Sequence, residues 1–147
     1  MNMVQKVSLP LLTFLFAWIG AQSTFNTDWS WYESLNKADL NPPSFVFGIV
    51  WPILYTFMAI VSFLHAKSIF KIFILQLMLN GSWSWIFFVF QLPELALINI
   101  LILIGLNTEI LKLLKEQGAK LSFALYAPYV IWLCFACYLN AFISILN

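Results

Sequence analysis

Long apolar stretches alternate with short polar ones along the whole chain. Five apolar segments stand out, at residues 7–25, 44–66, 70–90, 95–114 and 121–146. Each is close to the length of about 20 residues that a helix needs to cross the hydrocarbon core of a bilayer. Short connectors join most of them, so sequential helices are expected to be antiparallel neighbours. The pattern predicts an all-α fold, an integral membrane bundle of five transmembrane helices that forms a single domain over residues 1–147.

Proline and glycine mark the expected helix ends. Pro43 and Pro93 stand where the second and fourth helices should begin, which suits a residue without a backbone donor. Gly118 lies between the fourth and fifth segments, as expected for a helix stop. The first apolar run lacks a convincing small-residue cleavage site near Ala21, so it is interpreted as a retained helix rather than a signal peptide.

Composition excludes several classes of protein. Of the residues, 63% are hydrophobic and only 9% charged, against about 25% charged in an ordinary soluble domain. The net charge is +1 and no arginine is present, so a nucleic-acid partner is not expected. The lipid bilayer is the expected environment.

The lysines predict an orientation, because positive residues in short loops are retained on the cytoplasmic side. In a five-helix alternation only Lys37 falls on the far side. The N-terminus is therefore predicted to be cytoplasmic and the C-terminus to lie opposite. The lysines on the near side are Lys6, Lys67, Lys71, Lys112, Lys115 and Lys120.

The polar stretch at residues 26–43 is long for so small a membrane protein, and such loops are usually functional or disordered. It carries Trp29, Trp31 and Tyr32. Two interpretations remain open: an ordered lid over the mouth of the bundle, or aromatic anchors at the membrane interface.

Constellations familiar from soluble enzymes are absent from the sequence. His65 is the single histidine, and an interfacial histidine of this kind is more often solvated than a haem ligand. Cys134 and Cys137 lie within an apolar segment, unlike a redox pair at an accessible helix N-terminus. No metal site, required cofactor or conventional hydrolytic activity is expected.

Polar and aromatic side chains inside the apolar segments are the candidate functional residues. Trp51 and Tyr55 share one face of the second helix, and Pro52 between them frees the carbonyl of Gly48, so a kink toward protein or a cavity is expected there. Polar groups at membrane depth are costly unless they face the bundle interior.

The third and fifth helices carry similar stripes, which should converge inward with the first. Gln76, Asn80 and Trp83 form one, and Tyr129, Trp132, Ala136 and Asn140 form the other. One alternative is that these groups are interhelical contacts that hold the bundle together. The other is a ligand pocket, favoured for Trp51 and Trp132 because indoles stack on flat molecules and donate one hydrogen bond. For Asn80 and Asn140 the two stay open, and Trp83 and Trp85 suit a lipid-facing position equally well.

Several motifs together resemble one family. They are Asn41-Pro42-Pro43-Ser44-Phe45-Val46-Phe47-Gly48 continuing to Trp51 and Leu54-Tyr55; Leu79-Asn80 with Trp83 and Phe87-Phe88; Pro128-Tyr129 with Trp132, Phe135-Ala136 and Tyr138-Leu139-Asn140-Ala141; and Trp31-Tyr32 with Leu35-Asn36-Lys37. In order and spacing they are similar to the TspO/translocator proteins, the tryptophan-rich sensory protein family also called the peripheral benzodiazepine receptor family. The similarity covers nearly the whole chain.

The resemblance implies a five-helix bundle, often a homodimer, that binds porphyrins such as protoporphyrin IX or haem and, in some members, cholesterol and benzodiazepine-type ligands. It implies that Trp51, Asn80, Trp132, Ala136 and Asn140 line a pocket that Trp31 covers. The tyrosines Tyr55 and Tyr129 and the indole of Trp83 complete the candidate ligand-binding set.

The resemblance also leaves several functions open. A tetrapyrrole-binding sensor or regulator is the first. Light-driven oxidative degradation of porphyrin, with Trp51 and Trp132 as catalytic residues, is the enzymatic alternative; transport and a ligand-free assembly role are two more. Asp39-Leu40 departs from the aromatic or Pro-Trp pair of many relatives, and no basic residue after Tyr138 completes the cholesterol-recognition pattern.

Overall fold

The computed structural model describes residues 3–147, and every regular element within them is helical. The predicted all-α membrane bundle is confirmed. A 3₁₀ turn at Ser23–Asn26 follows the first helix, and a π-helical turn at Trp85–Val89 extends the third. The α-helices are α1 (Met3–Gln22), α2 (Trp29–Ser34), α3 (Ser44–Ser84), α4 (Pro93–Glu116) and α5 (Lys120–Leu146).

The helix α3 contains two membrane passes. With its π-helical turn it forms an apolar stretch of 46 residues, about 69 Å if straight, more than twice the thickness of a bilayer core. The Tyr55 hydroxyl nevertheless donates a hydrogen bond of 2.5 Å to Oδ1 of Asn80, 25 residues later. A straight helix would hold those residues about 37 Å apart. The chain therefore folds back, giving a first arm (residues 44–64) and a second arm (residues 66–84).

The reversal occurs at His65, the one described residue of α3 with non-helical backbone angles (φ −115°, ψ 17°). The backbone keeps helical angles at Pro52, so the proline does not interrupt the helix. Pro52 and Gly48 are also exposed rather than turned toward a cavity.

The other predicted helix ends agree with the structure within a few residues. Pro43 is the residue before α3, Pro93 is the first residue of α4, and Gly118 has a positive φ of 67° between α4 and α5. Only glycine adopts that left-handed conformation without a steric cost. The connector between α4 and α5 is therefore tight.

The two ends of the bundle differ in charge. Gln5, Lys67, Lys71 and Leu113 line one groove, which brings the start of α1, the reversal of α3 and the end of α4 together. Lys37 lies at the opposite end, next to Asn36, whose backbone N–H donates to Oδ1 of Asn147 at 2.9 Å. The separation of the lysines thus agrees with the alternation of five passes, and the cytoplasmic assignment of the N-terminus stays a prediction.

The bundle is closed by α1, which packs closely on the second arm of α3. A Cβ atom on Gly81 would lie 2.9 Å from Cδ1 of Phe16, so the Phe16 ring occupies the space that a larger residue at position 81 would need. The Ser84 hydroxyl donates to the carbonyl of Gly20 at 3.1 Å, and the indole of Trp85 donates to the carbonyl of Ile19 at 2.8 Å. Gly81 therefore packs against α1 of its own chain, and the indole of Trp85 is hydrogen-bonded to protein rather than turned wholly to lipid.

Apolar side chains occupy both the interior and the outer surface. The core includes Leu9, Met58, Phe73, Leu103 and Leu133, each at most 1% exposed. The outer surface carries a second set, which suits a protein whose surroundings are lipid: Leu11, Phe14, Trp18, Phe45, Ile49, Ile98, Leu101 and Ile131. Cys134 and Cys137 are free cysteines of α5. Cys134 is exposed on the outer surface, and Cys137 is half-buried.

The contact of Phe16 with Gly81 gives a testable prediction. Gly81→Ala should lower the unfolding temperature in detergent, because the added methyl group overlaps Phe16 and overpacking costs about 1–3 kcal/mol. Gly105→Ala is the matched control: nothing lies within 4 Å of its Cβ position, so it should be neutral or stabilising. In a Phe16→Ala background, Gly81→Ala should no longer lower the unfolding temperature, because the ring that the methyl group overlaps is gone. Equal unfolding temperatures for the two single variants would contradict the close approach.

Candidate ligand-binding site

An aromatic cluster joins the first arm of α3 to α5. The ring of Phe47 contacts Trp132 with centroids 5.8 Å apart, and one turn further along α3 the ring of Trp51 contacts Tyr129 at 6.4 Å. The later residue of α3 meets the earlier residue of α5, so the helices are antiparallel here. The two candidate indoles therefore lie in adjacent layers of one interface.

Two further rings extend this cluster. Trp51 lies 5.4 Å from Tyr55 at an interplanar angle of 31°, and Trp132 lies 5.5 Å from Phe135 at 56°. Both indoles are half-buried, whereas Ala136, one turn beyond Trp132, is 8% exposed. Ala136 belongs to the same core cluster, against which Trp51 and Trp132 pack. Indole faces are surfaces on which flat apolar groups stack.

A chain of hydrogen bonds runs from this aromatic surface into the bundle. The hydroxyl of Tyr55 donates to Oδ1 of Asn80, and Nδ2 of Asn80 donates to the hydroxyl of Tyr129 at 2.8 Å. The Tyr129 hydroxyl donates in turn to Oε1 of Gln76 at 2.9 Å. Asn80, Tyr129 and Gln76 are buried. The inward convergence predicted for these three residues is confirmed.

The chain continues toward the lysine-bearing end. Oε1 of Gln76 also accepts from Nδ2 of Asn107 at 3.4 Å, and the Tyr126 hydroxyl donates to Oδ1 of Asn107 at 2.6 Å. Polar groups in a lipid-embedded protein are costly unless paired. The network therefore ties both arms of α3 to α4 and α5.

The sequence leaves two roles open for Asn80, an interhelical contact and a pocket residue, and its hydrogen bonds bear on both. Both ends of its amide are bonded to tyrosines, so it acts as an interhelical contact. One of those tyrosines, Tyr55, stacks on Trp51, and the other, Tyr129, also contacts that indole. Asn80 consequently fixes the rear of the aromatic surface.

Asn140 belongs to a separate group. Its Nδ2 donates to the carbonyl of Pro93 at 2.8 Å, and its Oδ1 accepts from the indole of Trp83 at 3.2 Å. Trp83 therefore faces the protein interior rather than lipid alone. The ring of Trp83 stacks on Phe87 at 5.2 Å and 21°, and this contact leads to the loop at residues 26–43.

The loop at residues 26–43 is an ordered cover at the end of the bundle. Its helix α2 presents Trp31 and Tyr32 to Phe87, with centroids 6.0 and 6.4 Å away, and Tyr32 also reaches Phe88 at 5.3 Å. The π-helical turn at Trp85–Val89 carries both phenylalanines, and such turns are frequent at functional sites. The lid interpretation is thus favoured over anchoring at the interface alone.

Local hydrogen bonds hold this cover in place. Oδ1 of Asp28 accepts from the backbone N–H groups of Ser30 and Trp31 at 3.0 and 3.4 Å and from the Ser30 hydroxyl at 2.6 Å. These bonds lower the pKa of the Asp28 carboxyl below its ordinary value of 3.8, and the bond from the Ser30 hydroxyl has the largest effect. Burial raises the pKa of the Tyr32 phenol, and the Lys37 ammonium lies 4.6 Å from the centre of that ring.

The structure therefore divides the predicted site residues into two groups. The first is the aromatic surface with its polar backing, and it contains Trp51, Tyr55, Asn80, Tyr129, Trp132 and Ala136. The second lies under the cover and contains Trp31, Trp83 and Asn140. Trp31 packs on Phe87 rather than directly on the indoles of the first group. Trp83 packs both against the main hydrophobic core and against the smaller cluster of Phe87, Ala96 and Ile143.

Sequence reasoning misses or undervalues three residues of this candidate site. Phe47 was noted only within a motif, although its spacing of four from Trp51 places it on the same helical face. Asn107 and Tyr126 were not singled out. An asparagine inside an apolar helix and a tyrosine three residues before Tyr129 were the available signals, since both imply partners in the bundle interior.

Two buried donors, Nε1 of Trp132 and Nε2 of Gln76, have no hydrogen-bond partner among the described residues. The indole Nε1 of Trp132 is the one that belongs to the aromatic surface. A buried unpaired donor costs about 1–3 kcal/mol, and a ligand oxygen at this position would remove that cost. The indole therefore offers both a stacking face and a directional contact.

His65 is occupied by protein partners. Its Nε2 lies 2.8 Å from the Ser122 hydroxyl and its Nδ1 lies 3.2 Å from Oε1 of Gln117. These bonds fasten the reversal of α3 to the start of α5. Within residues 3–147 no group of three or more His, Cys, Asp or Glu side chains is placed to hold a metal.

The hydrogen-bond chain generates a second prediction. Tyr129→Phe should lower the stability of the detergent-solubilised protein by about 1–3 kcal/mol, because Asn80 loses its acceptor and Gln76 loses a donor in a buried setting. Tyr138→Phe is the control, since that ring stacks on Phe135 outside the network. Thermal unfolding measures both. Equal stability of Tyr129→Phe and wild type would contradict the role given to the network.

The cap of α2 generates a third prediction. Asp28→Ala should increase amide hydrogen exchange at Ser30 and Trp31, and Asp28→Asn, which keeps an acceptor oxygen, should do so less. Because the folded-state pKa is lowered, the cap stabilises α2 above pH 3.8 and is lost as pH falls through the folded-state pKa. In the wild-type protein, protection factors corrected for intrinsic exchange should therefore decrease as the pH is lowered through the folded-state pKa of Asp28. Protection that is the same in all three proteins would contradict the capping role.

Comparison with known proteins identifies the relatives of this chain. The family model described as TspO/MBR family matches residues 7–146. The chain is 31% identical to the tryptophan-rich protein TspO of Archaeoglobus fulgidus, covering 100% of this chain and 99% of the relative. It is 33% identical to the tryptophan-rich protein TspO of Chlorobaculum tepidum, covering 97% and 98% of the two chains.

A eukaryotic relative is similar over almost the same range. The translocator protein of Homo sapiens is 29% identical, with 93% of this chain and 86% of that protein covered. The motifs that carry the resemblance thus fall within a match that extends through all the membrane passes and the loop at residues 26–43. The chain belongs to the TspO/MBR family of integral, multi-pass membrane proteins.

Proposed function

We propose that this protein is a membrane sensor or regulator that binds a tetrapyrrole such as protoporphyrin IX. Family membership supports the coarser role, a membrane sensor or transporter related to tetrapyrroles or sterols. The observation that carries the finer proposal is the aromatic surface between the first arm of α3 and α5, where the indole N–H of Trp132 lacks an acceptor.

The chemistry of the ligand follows from that surface. Two indoles with flanking rings favour a large, flat, apolar molecule, and a free buried donor favours one that carries an oxygen acceptor at its edge. A porphyrin with carboxylate side chains has both features. Of the two tetrapyrroles expected, the metal-free macrocycle is favoured over haem, because both ring nitrogens of His65 are engaged by Gln117 and Ser122.

The cover would control access to this ligand. Trp31 and Tyr32 pack on Phe87, which stacks on Trp83, and Trp83 is bonded to Asn140 of α5. Movement of the loop would therefore be transmitted to α5, the helix that carries Trp132. This physical connection supports a sensing role, in which ligand occupancy changes the surface that the protein presents to a partner such as a second copy of the chain.

The enzymatic alternative is supported by one observation. The indole of Trp51 contacts the rings of both Tyr55 and Tyr129, so an indole next to an illuminated porphyrin would have oxidisable neighbours. Light-dependent degradation with molecular oxygen as oxidant is therefore the second candidate, with Trp51 and Trp132 as its candidate catalytic residues. It is distinguished from binding alone by a change of porphyrin absorbance under illumination.

The fourth prediction concerns protoporphyrin IX binding by the purified protein in detergent. Trp51→Phe combined with Trp132→Phe should weaken binding about tenfold or more, because two indole contacts and one donor are lost, each contact amounting to about 0.5–1.5 kcal/mol. Affinity is measured in the dark from porphyrin absorbance, so that the loss of tryptophan fluorescence does not affect the reading.

The matched control is Trp18→Phe, whose indole is 61% exposed on α1 and should leave the affinity unchanged. An unchanged affinity in the double variant would contradict the proposed site. Illumination of the saturated complex in air then separates the candidates: stable absorbance supports binding alone, and bleaching to a product that requires Trp51 and Trp132 supports the enzymatic one.

A further inference from the structure

A groove at the lysine-bearing end of the bundle is separate from the aromatic surface. Three helices form it: α1, the start of the second arm of α3, and the end of α4. The lining residues are Gln5, Lys67, Ser68, Phe70, Lys71, Ile72 and Leu113. Its volume is about 540 Å³, large enough for a headgroup rather than a single small ion. It opens outward beside the point at which α3 reverses.

The lining is both cationic and apolar. Lys67 and Lys71 supply two positive charges one helical turn apart, and the Ser68 hydroxyl lies between them in sequence. The spacing of four residues places both ammonium groups on one face of the helix. No aspartate or glutamate lines the groove. A ligand here must carry negative charge.

The other charges at this end leave it net positive. Six lysines lie here against two acids: Glu109, which pairs with Lys112 at 3.6 Å, and Glu116 at the end of α4; neither acid forms an ion pair with Lys67 or Lys71. The structure describes no further ion pair between residues 3 and 147. Anionic headgroups are attracted to such unpaired lysines beside a membrane pass.

The apolar part of the lining identifies the source of the anion. Phe70, Ile72 and Leu113 are half-buried residues of the same groove. An inorganic anion gains nothing from such surface, whereas a phospholipid places its glycerol and upper acyl carbons there. The exposed outer face of α1, with Val4 at 74% and Leu11 at 65%, provides apolar surface for the acyl chains.

We propose that the groove formed by Lys67, Lys71 and Leu113 is a specific site for an anionic phospholipid of the adjacent leaflet. The phosphodiester is held by the two ammonium groups, and the acyl chains follow the outer surface of the bundle. Because Lys67 comes two residues after His65, an occupied site also braces the reversal that sets the two arms of α3 against each other.

The experiment is native mass spectrometry of the full chain, purified in detergent, delipidated and titrated with phosphatidylglycerol or with phosphatidylcholine. The wild type should bind one phosphatidylglycerol molecule in preference to phosphatidylcholine. Lys67→Gln with Lys71→Gln should weaken that first binding step about 30-fold, since each lysine near an anionic lipid contributes a factor of about five.

The control is Lys115→Gln with Lys120→Gln, which removes the same charge at the same end but outside the groove. It should leave the first binding step within about twofold of wild type. Equal loss in both double variants would overturn the site in favour of diffuse attraction, and equal binding of the two lipids would overturn the charge argument. Displacement of the lipid by millimolar inorganic phosphate would overturn the phospholipid assignment in favour of a small-anion site. Circular dichroism of all variants confirms that they are folded.

Discussion

The structure depends on one constraint: inside a bilayer, polar groups cannot be satisfied by water and must be satisfied by the protein. The chain answers it mainly with a hydrogen-bond network that begins at Tyr55, passes through Asn80, Tyr129 and Gln76, and ends at Asn107 and Tyr126. Three buried polar atoms lack a partner among the described residues: Nε2 of Gln76, Oδ1 of Asn99 and Nε1 of Trp132. Apolar side chains lie on both the inside and the outside, so apolar burial alone does not specify which helix faces meet. The network does, because each amide has few acceptable partners.

The same network supports the candidate site. Tyr55 and Tyr129 are held by Asn80 from behind and present their rings to Trp51 in front. An aromatic surface backed in this way keeps its shape without a ligand, which reduces the entropy lost on binding. Stability and the proposed binding therefore involve the same residues. These residues are contacts between helices, and the proposed pocket would use the same arrangement.

The bundle has two dissimilar ends. At one end, the aromatic side chains of α2 form a cover. Asn36, which follows α2, is joined to Asn147 by two hydrogen bonds. At the other, His65 joins the reversal of α3 to Ser122 of α5, and the lysines surround a groove. The proposed tetrapyrrole surface and the proposed phospholipid groove are thus separated along the bundle. Both involve α3, whose two arms are continuous through a single non-helical residue.

The sequence by itself determined the class of fold, the number of passes, most helix ends and the family, because long apolar segments and their punctuation depend on local chemistry and on the thickness of a bilayer. It also identified Trp51, Asn80 and Trp132 from polar or aromatic character at membrane depth. Only the tertiary structure decided which of these residues meet: Tyr55 with Asn80 across the reversal, Trp31 with Phe87, and Asn140 with Trp83 and Pro93. It also placed the reversal of α3 at His65, at the boundary expected between the second and third apolar segments, and kept helical backbone angles at Pro52. Partners distant in sequence are selected by the packing of whole helices, and no local pattern encodes that selection.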